Sequence, residues 1–192
     1  ILNGPVPLVT LVNLTTMDRA MQNAYSQQTS FEVEQQLAER GTLSAGYQNL
    51  RGLHLIISVN QNVPSCVAGG GNNGCRPNPN YANNSQYSSL ADSNYNGMHV
   101  TYVQRPVRWG SYRVSYTYSK SLNNVGEFFF SSPINHYDIW QDYGRSDDDQ
   151  RHRLVFNGTA QTSTDPAKNF WEHLSHGFQL STMVQYYSAL PF

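Results

Sequence analysis

From Ser111 to Lys120 every second residue is apolar or aromatic. Tyr112, Val114, Tyr116 and Tyr118 fall on one side; Ser111, Arg113, Ser115, Thr117 and Ser119 fall on the other. This period of two predicts a β-strand with one greasy face and one polar face. The pattern recurs along the chain. Phe31, Val33 and Leu37 alternate with Glu32, Glu34 and Gln36, which favours a strand over a helix there. Leu43, Ala45 and Tyr47 follow on the next run, which continues through Leu53–Asn60 with a kink expected at Gly52. Met98, Val100 and Tyr102 oppose His99 and Thr101. Leu154, Phe156, Gly158 and Ala160 mark a fifth strand, and Phe178, Leu180, Thr182, Val184 and Tyr186 a last one.

The connections between these runs alternate in length. Short turns follow the first and third strands, at about residue 40 and at Pro106–Gly110. Long polar connections run from about 60 to 94 and from 121 to 150, and one of about a dozen residues precedes the last strand. Antiparallel neighbours put successive connections at opposite ends, so both long loops share one end. That asymmetry, with runs of about ten residues, is the arrangement of an outer-membrane barrel, with short periplasmic turns and long extracellular loops. Two structureless loops of that size count against a compact soluble domain. Trp109, Tyr112, Tyr118, Tyr186 and Tyr187 sit near strand ends, as in an aromatic girdle at headgroup level. The competing account is the high strand propensity of tyrosine, and the girdle is the favoured one. The fold expected is all-β, of antiparallel up-and-down strands. Residues 1–24 form an upstream loop or strand, and residues 25–192 form a barrel segment of about six strands.

Composition sharpens this picture. Charged residues make up 13% of the 192 residues, about half the share of an ordinary soluble domain. Mean hydropathy is nevertheless −0.55, because Asn, Gln, Ser, Thr, Tyr and Gly fill the gap. No run of apolar residues is long enough for a transmembrane helix, which leaves barrel strands untouched. The net charge of −1, with scattered Lys and Arg, argues against a nucleic-acid partner. No signal peptide is legible at the start.

Candidate chemistry is sparse. Cys66 and Cys75 flank a Gly/Asn loop in which they can meet. A stapling disulfide, hence an oxidising compartment, is favoured over free thiols or a metal pair. Asp147, Asp148 and Asp149 precede Arg151 and Arg153. The carboxylates suit a cation in principle, but EF-hand spacing is absent, and Asp–Arg pairing at a strand entrance is the favoured reading. Arg113, Arg151 and Arg153, with the three aspartates, are the candidate ligand contacts, in the lumen or a loop. His173 and His176 are the closest histidine pair. Glu127, Asp138 and Asp142 could supply a carboxylate pair, but nothing positions one. No nucleophile, zinc or phosphate-loop motif occurs, so no catalytic residue, metal or cofactor is expected.

Four segments carry a resemblance: "SLADSNYNGMHVTYVQRP", "GSYRVSYTYSKSLNN", "DIWQDYGRSDDDQRHRLVFNG" and "GFQLSTMVQYYSALPF". In order and spacing they resemble the barrel of TonB-dependent outer-membrane receptors, in the Oar-like group of acidobacterial type that carries a carboxypeptidase-regulatory-like domain. The resemblance covers about Tyr25 to Phe192, and "SDxDQRHR" before a strand is its most distinctive part. It implies a large antiparallel barrel in the bacterial outer membrane that contacts lipid and takes up a bulky nutrient, without catalysis. Energy would come from the TonB system through N-terminal parts outside this chain. Six strands are too few to close such a barrel, so the chain is expected to be an internal piece. The competing expectation is a soluble secreted β-rich domain that binds or hydrolyses glycans, with Tyr and Trp as stacking platforms.

Overall fold

The computed structural model describes residues 11–66, 75–126, 132–162 and 169–191. Its strands are β1 (Leu14–Met17), β2 (Tyr25–Ala38), β3 (Gly41–Asn60), β4 (Asn84–Val107), β5 (Gly110–Asn123), β6 (Gly144–Arg145), β7 (His152–Gln161) and β8 (Gln179–Tyr187). A 3-10 turn spans Ile139–Asp142, and a short helix, α1, spans Phe170–Ser175. The strands form one sheet in the order β2-β3-β4-β5-β7-β8, with β1 parallel beside the start of β4 and β6 beside β5. The long strands thus follow one another as an antiparallel meander, as expected.

Two calls on the connections need correction. The sheet resumes at Asn84, so the first long loop ends ten residues earlier than its pattern suggested. In the second, β5 runs on to Asn123, and Ile139–Asp142 and β6 add structure before β7. The segment "NSQYSSLADSNY" lacks apolar alternation because it packs through small residues on both faces: Ser89 and Ala91 on one and Ser88 on the other are all buried. Residues 1–10, Glu127 and Phe192 lie outside the described residues.

The chain divides into two compact units. One comprises Gln27–Arg51, Asn94–Leu122 and Arg145–Phe192. Its register explains the alternation. Tyr112 stands opposite Gly158, and Gly158 opposite Thr182. Val114, Phe156 and Val184 form the next row, and Tyr116, Leu154 and Tyr186 the next. Every residue of the greasy set therefore lands on one face of three neighbouring strands. The other face carries the rows Ser111–Thr159–Ser181, Arg113–Asn157–Met183 and Thr117–Arg153–Tyr187. The greasy face is not covered: Tyr116 is 38% and Leu180 69% exposed. A soluble sandwich would bury that face against a second layer. Here the described residues supply none.

The apolar band has a defined height. On β2 it runs from Phe31 to Leu37, or roughly 20 Å at about 3.3 Å per residue, close to the roughly 25 Å band of outer-membrane barrels. On β3 and β4 it gives way to polar residues on the same side. The Tyr47 hydroxyl donates to Asn96 Oδ1 at 2.6 Å, and Asn49 Nδ2 donates to Asn94 Oδ1 at 3.0 Å and Asn96 Oδ1 at 2.9 Å. Tyr187, expected in the girdle, instead lies on the polar face, with the Arg153 guanidinium 5.3 Å from its ring centre.

The tight turn of Arg108 and Trp109 depends on Gly110. Its φ is 143°, and a Cβ there would lie 1.9 Å from the Thr159 carbonyl oxygen. Gly110→Ala should therefore cost about 2–3 kcal/mol, the size of a strained backbone site. Urea unfolding of the full-length protein in lipid vesicles checks this, with Gly144→Ala as the control, since a Cβ there has its nearest neighbour at 3.8 Å.

The second unit comprises Ile1–Ser26, Gly52–Ser93 and Asn123–Gly144. It holds the far ends of β3 and β4 and has its own small core of Ile57, Val59, Ala91 and Val125, flanked by Leu55 and Ile139. In place of the kink expected at Gly52, β3 continues as one strand, and the departure from extended backbone is at His54, with φ 57°. Gly52 is nonetheless needed, because a Cβ there would meet Ser93 Oγ at 2.5 Å. Cys66 and Cys75 form a disulfide with Cα atoms 5.6 Å apart. Beside it, Asn62 is buried, and its Nδ2 donates to the carbonyls of Asn78, Tyr81 and Ala82.

Candidate functional site

The polar face of the first unit is the surface a barrel turns to its lumen. Several cavities open on it; one of about 630 Å³ is lined by Arg105, Ser111, Arg113, Asn157 and Thr159 among others, and two smaller ones gather acidic and basic side chains together. The first of the smaller two, of about 360 Å³, is lined by Glu32, Glu34, His99, Arg105 and Arg113, with Thr and Ser side chains between them. Alternation on β2 and β4 places the first three there, and His99 Nε2 lies 3.7 Å from Glu32 Oε1. Gly46 makes room for the imidazole, since a Cβ would fall 2.5 Å from His99 Cε1. The Thr101 and Ser115 hydroxyls bond across β4 and β5 at 3.0 Å. The second of them, of about 340 Å³, is lined by Gln48, His99, Thr117, Ser119, Asp148 and Arg153 among others. His99 borders both.

Of the residues singled out from the sequence, Arg113 lines the largest cavity and the first of the smaller two, and Arg153 and Asp148 line the second of those. Asp147 is exposed in the turn before β7. Asp149 and Arg151 have a different role. Asp149 is 1% exposed. Its Oδ2 accepts from Arg145 Nε at 2.8 Å and from Arg151 Nε at 2.7 Å, and its Oδ1 accepts from the Ser121 backbone N–H at 2.8 Å. The Ser146 N–H donates to the Ser121 carbonyl, and the Asp149 N–H to the Ser146 carbonyl. The carboxylate thus fastens the entrance of β7 to the end of β5. Burial alone would raise its pKa. The Ser121 N–H and the two guanidiniums outweigh burial and hold the carboxyl below the usual carboxylate range.

Sequence reasoning passed over Glu32, Glu34, His99 and Arg105 as site residues. The signal was present for Glu32, Glu34 and His99, since each alternates with an apolar neighbour assigned to the other face; Arg105 lies beyond the alternation read on its strand. The carboxylates Asp138 and Asp142 are engaged locally: Asp138 caps the 3-10 turn at the Trp140 N–H, and Asp142 accepts from the Ile134 N–H. Among the described residues no group of three or more His, Cys, Asp or Glu side chains is arranged to hold a metal ion. The site is a wall of mixed charge and hydroxyls, fit to contact polar solutes.

No curated protein and no solved structure matches the chain. A protein-family model does, and its match overturns the soluble, secreted expectation in agreement with the uncovered apolar face. Over residues 2–192 the chain matches the model described as "Outer membrane beta barrel domain", and it belongs to that family and to the bacterial outer membrane.

Proposed function

We propose that this chain is part of the barrel of a TonB-dependent, Oar-like transporter that takes up a bulky nutrient. The observation that carries the reading is the excess length of two strands. β3 has 20 residues and β4 has 24, whereas about 9–11 suffice to cross the bilayer. The surplus belongs to a separate compact, disulfide-stapled unit that includes the long connections, and long connections are extracellular by the rule for such barrels. A structured outer body suits capture of a scarce, large solute better than passive diffusion of small ones. The polar wall with Arg113 and Arg153 suits a wet passage, and the four sequence segments quoted above add the resemblance to this transporter class.

TonB would act through parts of the protein outside this chain. The test is growth of a deletion strain on a panel of bulky carbon, nitrogen and metal-chelate sources. Loss of growth on one source, with uptake in the parent abolished by a protonophore, is the expected result. Uptake of that source that persists in de-energised cells would overturn energised transport.

A further inference from the structure

We infer that the loop containing Tyr137, Trp140 and Tyr143 is a binding site for neutral saccharides, presented on the outer body. The inference rests on the uptake reading and names the ligand class for it.

The 3-10 turn Ile139–Asp142 holds Trp140 and is capped by Tyr143, three residues on; residues i and i+3 of such a turn eclipse. Trp140 and Tyr143 accordingly lie together, with ring centres 5.7 Å apart. Ile139, just before Trp140 in sequence, instead packs on the core of Ile57 and Val59. The loop is therefore amphipathic, but its outward side is aromatic where a solvated loop would be charged. Trp140 is 53%, Tyr137 70% and Ile134 93% exposed.

This exposure is built into the loop. The Tyr137 hydroxyl donates to the Val63 carbonyl at 3.1 Å, so the ring is pinned by its tip while its surface stays open. His136 Nδ1 accepts from the Asn60 N–H at 2.9 Å. The Trp140 N–H donates to Asp138 Oδ1, and Asn135 Nδ2 to Gln141 Oε1. A shelf fixed in this way does not have to be ordered when ligand arrives.

The chemistry around the shelf selects the ligand. The stretch "PINHYDIWQDY" contains two carboxylates and two side-chain amides and no Lys or Arg. The stretch itself offers an anionic chelate or phosphate group no Lys or Arg partner. A sugar ring meets complementary groups: its C–H face lies on an indole or phenol ring, whose face is electron-rich. Its hydroxyls donate to carboxylates, which have about four acceptor sites each. Asp138 uses one site for the Trp140 N–H and one for Gln141 Nε2, so it retains capacity for sugar hydroxyls.

The experiment uses the full-length protein in detergent, titrated with maltohexaose, cellohexaose and xylohexaose, with hexagalacturonate as the anionic comparison. Tryptophan fluorescence and calorimetry are read together. At least one neutral hexasaccharide should bind, and more tightly than the anionic one. Trp140→Ala should weaken that binding at least tenfold, Tyr137→Ala several-fold, and Trp109→Ala, on a turn of the other unit, not at all. Heat-modifiable migration confirms that each variant is folded. Absence of binding by every neutral hexasaccharide, or undiminished affinity in both Trp140→Ala and Tyr137→Ala, would overturn the site. The two readings fail separately. Energised uptake of some nutrient that Trp140→Ala leaves intact removes the saccharide shelf and keeps the transporter. Hexasaccharide binding without energised uptake does the reverse.

Discussion

Phe156→Arg is expected to destabilise the barrel by about 2–4 kcal/mol, the depth-dependent cost of a guanidinium on the lipid side of a transmembrane strand. Phe156 stands in the middle of the row Val114–Phe156–Val184, within the apolar band and away from both of its edges. An arginine there could reach water only by snorkelling past Tyr116 and Leu154 or past Tyr112. The matched control is Asn157→Arg. It lies one residue along on the opposite face, between Arg113 and Met183, where its charge is solvated. Unfolding of the full-length protein in vesicles should separate the pair by at least 2 kcal/mol. Equal losses would mean that the band does not face hydrocarbon.

Asp149→Ala should cost about 2–3 kcal/mol. Three charge-assisted hydrogen bonds disappear, each of the stronger kind, and the Ser121 N–H loses its acceptor. The figure stays below that for a fully buried ion pair because Arg145 is about half exposed and regains water. The same clamp makes stability depend on pH. The folded carboxyl titrates below its ordinary value. Its stabilising contribution is therefore fully present above about pH 4, the unfolded value, and is lost as pH falls through the lower, folded value. Thermal midpoints of wild type and Asp149→Ala, measured from pH 6 downward, should converge in strong acid. Asp147→Ala, in the same turn but exposed, should lie within 0.5 kcal/mol of wild type, the usual range for a surface change.

The strands crossing the band were legible because membrane and lumen impose opposite chemistry on alternate residues. Tyr112 to Tyr118, Leu154 to Ala160 and Phe178 to Tyr186 could be read off and then aligned by register. Asn84–Asp92 is strand too, but the residues buried along it are Ser88, Ser89 and Ala91, so no apolar alternation marks it. The disulfide followed from two cysteines in one flexible loop. Asp–Arg pairing at the entrance of β7 followed from the sequence, but which aspartate makes it did not, because Asp147, Asp148 and Asp149 look alike until the Ser121 N–H selects one of them. The helix Phe170–Ser175 is too short to show a period. Its exposed Phe170, Trp171 and Leu174 were read only as a connection.

The Cys66–Cys75 bond also bears on the route this chain takes to its final position. Thiol oxidation in such bacteria is carried out in the periplasm, on the near side of the membrane the barrel must enter. A staple closed there would reach barrel assembly as a ready-made ring between β3 and β4. Whatever machinery seats the strands must then admit a cross-linked bulge where it would otherwise thread a single filament.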